Sequence, residues 1–385
     1  MRPYRYTNTP STCFFYPTHM LNLSIIFVVP SHSKEAKVAA MNVVNKTHST
    51  AKDLSFTSEV ERNTAHLYDK VKKVIPEVEW PIFAPIIDRI NKLKKQKNAV
   101  ILGHNYMTPE IFHCVADITG DSLALARSAA KTEADIIVMA GVHFMAETSK
   151  IMNPSKKVLI PDMGAGCTLA EAITAEDVRN LKAQYPGVPV VTYVNTSADV
   201  KAESDICCTS ANAAQIVEGL GTPRVIMIPD EYLALNTAKL VKCEIITWKG
   251  RCMVHEQFTP ADIRGARNNY PGVVVLAHPE CSPEVVAECD FTGSTAGMID
   301  YVAKHKPPKV ILVTECSMSD NVAADFPEID FVKPCNLCPF MKKIELSNIL
   351  HSLEYETTEV HIDPDIAVRA RVSIERMITG WKYGT

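Results

Sequence analysis

The stretch "AVILGHNY" at residues 99–106 decides the fold: a β-branched apolar run that stops in a knot of polar side chains. The same design returns as "PVVTYVNTS" at 189–197 and as "VVVLAHPE" at 273–280. After each comes a Ser or Thr ahead of an amphipathic segment: "GDSLALARSAA", "CCTSANAAQIV" and "GSTAGMIDYVA". A second strand-like run follows ("ADIIVMAG", "PRVIMIPD", "PKVILVTE"), then a helical segment and a third run ("KKVLIPD", "EIITWKG", "IDFVKPCN"). Short apolar runs alternating with helical patterns predict βαβ units and parallel sheets covered by helices. Beyond the third run of each unit stands one cysteine, Cys167, Cys252 or Cys338, at spacings of 85 and 86 residues.

That period is too long for a solenoid repeat, so each unit reads as a small domain of its own. The expectation is an α/β protein of three pseudo-repeated, three-layer α/β/α domains with parallel sheets around a pseudo-threefold axis. Its parts are an N-terminal extension (1–60), a first repeat with preceding helices (61–166), a second (167–251), a third (252–340) and a C-terminal helical segment packing back on the core (341–385). Residues 65–98 read as helical, with Lys92, Lys94, Lys95 and Lys97 in the last turn, where they suit the helix dipole.

The chain has 385 residues, 46% hydrophobic and 22% charged, in the ordinary range for a globular protein. A net charge of -4 and the absence of a basic block interleaved with aromatics argue against nucleic-acid binding. The apolar run "LNLSIIFVVP" (21–30) is well short of the roughly twenty residues of a membrane span, so no membrane is expected either. Residues 1–60 are set aside as a targeting segment or an upstream start, Met41 being the alternative start. Twelve cysteines scattered through so long a chain read as reduced thiols, mostly core filler such as Cys207 and Cys208.

Ligands of parallel α/β sheets bind beyond the carboxyl ends of the strands. Those ends carry His104 and Tyr106, Tyr193 and Asn195, and His278 and Glu280. Three cysteines at matching points, one per repeat, could hold a [4Fe–4S] cluster by three irons and leave the fourth open as a Lewis acid. A zinc site and a redox dithiol at Cys335 and Cys338 stay open beside it. Ser122, Ser210, Ser294 and Thr295 sit at helix starts, which suit carboxylates and phosphates; ordinary capping would explain any one of them. His104, Tyr106, His278 and Glu280 are sensible acid–base groups, whereas His255 and Glu256 read as structural or supporting residues.

Taken together, "GHNY", "GDSLALAR", "GVHFMAETSKIMNP", "YVNTSADVKAESD", "WKGRCMVHEQF", "AHPEC", "GSTAGM" and "CNLCPFMK" resemble the quinolinate synthase family, from about Ile87 to Trp381. The resemblance implies a transferase of NAD biosynthesis that joins iminoaspartate to dihydroxyacetone phosphate in the cytoplasm, using a [4Fe–4S] cluster with one open iron. It assigns Cys167, Cys252 and Cys338 as ligands, and Tyr106 and Glu280, with His104 and His278 beside them, as acid–base residues. It assigns His104, Ser122, Tyr193, Asn195, Ser210, His278, Glu280, Ser294 and Thr295 to substrate. It further implies transient contact with the enzyme that makes iminoaspartate. Another cluster-dependent hydro-lyase of a polycarboxylate and a non-enzymatic metal or redox sensor are the competing readings. Cys335 is either a spectator or the partner of Cys338 in a regulatory disulfide.

Overall fold

The computed structural model describes residues 54–333 and 336–379. Most of the 1–60 extension and Cys335, with any disulfide it forms, lie outside the described residues. The described chain holds three parallel four-stranded sheets with one strand order. The first runs β2-β1-β3-β4, with β1 Ala99–His104, β2 Ile118–Gly120, β3 Ile136–Ala140 and β4 Lys157–Leu159. The second runs β6-β5-β7-β8, with β5 Val190–Tyr193, β6 Ile206–Cys208, β7 Arg224–Ile228 and β8 Glu244–Thr247. The third runs β10-β9-β11-β12, with β9 Val274–Ala277, β10 Phe291–Thr292, β11 Lys309–Val313 and β12 Asp330–Val332. The central strands are buried along nearly their whole length, as helices packed on both faces require.

The sequence pattern predicts three strands per repeat; the structure has four. The extra edge strands β2, β6 and β10 span only two or three residues, too few to carry a period. An aspartate fixes each of them. Asp117, Asp205 and Asp290 accept through Oδ2 from the backbone N–H of Ile101, Val190 and Val275, at 2.8 Å in all three. Their own N–H groups bond back to the carbonyls of the same three residues. Three copies of one reciprocal contact show the repeat at atomic detail.

Cys207 and Cys208 are fully buried in the second sheet, as expected of core filler. The predicted basic last turn takes a different role. Lys94 bonds Asp117 and the Val115 carbonyl, Lys92 pairs with Asp88 and Glu59, and Lys97 pairs with Glu356. These lysines fasten the helix Trp80–Gln96 to its neighbours rather than only serving its dipole. The C-terminal helix Leu346–Tyr355 packs on that same helix, and Pro364–Thr379 packs on Ala198–Glu203 and β6. The segment between them bridges β4 through Glu359.

Candidate active site

Strand register brings the polar ends to equivalent points. Gly103, Thr192 and Ala277 pair with Ala140, Ile228 and Val313, the last residues of β3, β7 and β11. One step further stand His104, Tyr193 and His278; two more lead to Tyr106, Asn195 and Glu280. All six line one cavity, together with Ser122, Ser210, Thr295 and the three cysteines Cys167, Cys252 and Cys338. Ser294 does not line it. It caps the helix Thr295–His305 by accepting from the Gly297 N–H at 3.2 Å, and it borders the neighbouring groove.

His104 and His278 sit in the same local turn. The Nδ1 of each accepts the backbone N–H two residues on, from Tyr106 at 3.2 Å and from Glu280 at 3.3 Å. A neutral ring held this way carries its proton on Nε2. Burial lowers His104 to about 4 and His278 to about 3, so both rings are neutral at pH 7. The His278 Nε2 faces Ser210 Oγ at 3.1 Å.

Glu280 is only 4% exposed. Its Oε1 accepts from the Tyr193 hydroxyl at 2.5 Å, and its Oε2 lies 2.9 Å from His255 Nδ1. Burial opposes its charge, but His255 and the Tyr193 hydroxyl outweigh that and hold the carboxyl below its ordinary range. Tyr106 and Tyr193 are pushed well above a normal phenol, first by burial and then by Glu280, so both stay protonated. The Tyr106 hydroxyl is 2.6 Å from Thr314 Oγ1, which is 2.9 Å from His255 Nε2. A continuous chain thus runs Tyr106–Thr314–His255–Glu280–Tyr193.

His255, which the sequence marks only as structural or supporting, stands in the cavity wall and stacks on the His278 ring with centroids 4.8 Å apart. No zinc-protease spacing marks it; three residues past Cys252, it is legible only once that cysteine is placed. Glu315 also lines the cavity, fully buried, bonding Lys342 at 2.9 Å and the Ser317 N–H at 2.8 Å. The repeat held its signal: Glu315 follows "VILV" at the place where Asp230 follows "VIMI".

The cysteines share one cradle. Each precedes a single helical turn, Thr168–Glu171, His255–Gln257 or Met341–Lys343. Each sulfur faces the N–H groups two and three residues on: Leu169 and Ala170, Val254 and His255, Phe340 and Met341. Gly250 admits the second turn, since a Cβ there would stand 2.5 Å from the Pro229 carbonyl oxygen. Burial drives Cys167 up to about 12 and raises Cys252 and Cys338 too, so a bound cation is what would favour three thiolates here. Three half-buried cysteines, one beyond the last strand of each sheet and each with two N–H donors at sulfur, fit a cluster held by three corners. Cys252, His255 and Glu280 also offer donor atoms within 4.8 Å of one another, a set that suits a single metal ion.

The helix-start residues differ in detail. Ser122 opens the helix Ser122–Lys131, whose cap is Asp121, bonding the Ala124 N–H at 2.8 Å. Ser210 precedes Ala213–Gly219 and turns to His278 instead. Thr295 accepts from Asn105 Nδ2 at 2.9 Å, tying the first repeat to the third. Asn195 Oδ1 is buried with no partner among the described residues.

Comparison with known sequences matches residues 88–379 to the family described as "Quinolinate synthetase A protein". A Mesorhizobium japonicum protein named "Quinolinate synthase 2" is 67% identical over 321 residues, covering 83% of this chain and 99% of its own. An Agrobacterium fabrum "Quinolinate synthase" is 61% identical over 331 residues, 86% of this chain and 96% of its own. A Xylella fastidiosa "Quinolinate synthase" is 62% identical over 292 residues, 76% of this chain and 86% of its own.

Proposed function

The chain belongs to the quinolinate synthetase A protein family, and on that premise we propose that it condenses iminoaspartate with dihydroxyacetone phosphate, releasing phosphate and two waters to leave quinolinate. The observation that carries this reading is the single cavity where three sheet edges meet, with one cradled cysteine from each repeat beside Glu280, His255 and Tyr106. Cys167, Cys252 and Cys338 would hold a [4Fe–4S] cluster. When bound, it supplies an open iron as Lewis acid toward a hydroxyl or carboxylate.

The protein groups divide the remaining work by charge. Glu280 stays ionised and is the proton acceptor for the ketose–aldose shift, with His255 and Tyr193 fixing its two oxygens. Tyr106 stays protonated and donates to an oxygen of the closing ring. His104, neutral with its proton on Nε2, presents a donor without adding charge. No Lys or Arg is among the described residues lining the cavity, so substrate anions meet hydroxyls and helix N-termini at Ser122, Ser210 and Thr295. Ser294 acts through its cap on the helix that Thr295 opens. The unpartnered Asn195 Oδ1 awaits a donor, such as the imine or amine nitrogen of the aspartate moiety.

Anaerobically purified protein given both substrates should release quinolinate and phosphate together. A hydro-lyase of another polycarboxylate would release no phosphate, and a sensor would turn over neither substrate. The Cys252, His255 and Glu280 donor set favours a second reading, one divalent ion in place of a cluster; metal and sulfide content separate the two. No helix among the described residues is long and apolar enough to cross a membrane. The cytoplasm is the proposed compartment, with transient contact to the iminoaspartate-producing enzyme.

A further inference from the structure

Two asparagines grip the backbone on either side of the two residues given proton-transfer roles. Asn236 Nδ2 donates to the carbonyls of Pro279 and Cys281, both at 2.9 Å, and so straddles Glu280. Asn321 Nδ2 donates to the carbonyls of Asn105 and Met107, at 3.0 and 2.8 Å, and straddles Tyr106. The two are equivalent by position. Asn236 is the seventh residue of "DEYLALN" (230–236) and Asn321 the seventh of "ECSMSDN" (315–321), each beginning two residues past the end of a central strand.

Each grip crosses a repeat boundary, from the second repeat to Glu280 in the third and from the third to Tyr106 in the first. Symmetry predicts another from the first repeat to Asn195 in the second. The corresponding stretch "VHFMAET" (142–148) ends in Thr148 instead. Thr148 Oγ1 bonds the Phe144 carbonyl of its own helix at 2.8 Å and does not reach across. The Thr196 carbonyl beside Asn195 is taken by Lys201 Nζ, from within the second repeat.

A pair of carbonyls demands the amide nitrogen, which strands the other end. The Oδ1 of Asn236 and of Asn321 are both buried without a partner among the described residues. A leucine would avoid that orphan but leave two backbone carbonyls without their donor, so what each asparagine supplies is the pair of bonds that ties those carbonyls to another repeat. Side-chain direction at Glu280 and Tyr106 is set by the backbone between the two gripped carbonyls. A displacement near 1 Å at a reacting group costs about a hundredfold in rate.

We propose that Asn236 and Asn321 are positioning residues, cross-repeat clamps that aim Glu280 and Tyr106, the two residues given proton-transfer roles. The proposal rests on the acid–base roles given above to Glu280 and Tyr106.

Double-mutant cycles test it. Asn236→Leu and Asn321→Leu should each lower kcat by about tenfold to a hundredfold with KM little changed and metal content as in the parent. Asn236→Leu should add no further loss to Glu280→Gln, nor Asn321→Leu to Tyr106→Phe, because each clamp acts only through the residue it aims. Amide hydrogen exchange at 280–281 or 105–107 should quicken in the matching variant. Unchanged kcat, or losses that multiply in the double variants, would overturn the clamp. Should a leucine variant fail to fold, Asn236→Thr or Asn321→Thr, the residue found at 148, takes its place under the same criteria. If Glu280→Gln and Tyr106→Phe keep full activity, the acid–base assignment is what fails, and unchanged exchange in the asparagine variants then rejects the clamp independently.

Discussion

Glu280 keeps its charge although it is buried, because two neighbours are aimed at its two oxygens: Tyr193 and His255. The two strand-end histidines answer the same burial in the opposite way, by giving up their protons. That has a consequence for pH. An unfolded histidine titrates near 6.5, whereas the folded rings sit at about 4 for His104 and about 3 for His278. Between those values the unfolded chain binds more protons, so acid favours unfolding. The stability gained by keeping both rings neutral is complete above about pH 6.5 and is lost as pH falls toward 4, and toward 3 for His278. His104→Asn and His278→Asn should each flatten the fall of the urea midpoint across that window; an unchanged slope would remove histidine from the cause. The strand-end pattern announced these two residues and Glu280. It could not announce His255, whose significance lies in three contacts from three different segments, to Cys252, Glu280 and Thr314.

The elements that carry the site are short, and their ends matter more than their lengths. Helices Ala175–Gln184 and Pro260–Asn269 begin with the same reciprocal cap, Thr174 with Asp177 and Thr259 with Asp262. Both lie far in sequence from the acid–base residues. Thr174→Ala and Thr259→Ala should each cost about 1 kcal/mol in urea unfolding, add to about 2 kcal/mol together, and leave kcat unchanged. A sharper case is Gly250, where an added Cβ meets the Pro229 carbonyl at 2.5 Å. Gly250→Ala should displace the turn that presents Cys252 and lower the iron bound per chain. Gly265→Ala, in the open space of helix Pro260–Asn269, is the control and should retain it. The two central strands of every repeat were legible because β-branched runs bounded by polar clusters have few other readings, and the third, only three or four residues long, because it recurs at the same place after them. The edge strands β2, β6 and β10 were not, since what defines them is an aspartate reaching back to the neighbouring strand, a tertiary contact with no local period.

At the scale of the whole molecule, three copies of one α/β unit surround a cavity that none of them could enclose alone. The 85- and 86-residue cysteine spacings expressed that symmetry before any geometry was known, because a repeated fold puts matching residues at matching strand ends. Symmetry also shows where the copies have diverged. His104 and His278 share a turn that Tyr193 leaves, and the asparagine clamp is present at two boundaries and absent from the third. Each departure falls at a residue to which the proposed reaction gives a distinct task. The proposed iron–sulfur cluster at the meeting of the three sheets rests on three cysteines, one beyond the last strand of each sheet. The most direct test is the iron and sulfide content, with the anaerobic visible spectrum, of the parent protein against Cys167→Ala, Cys252→Ala and Cys338→Ala. The account predicts about four irons and about four sulfides per chain in the parent, and loss of the intact cluster in every variant. One metal ion per chain without sulfide, or a full cluster surviving all three substitutions, would contradict it.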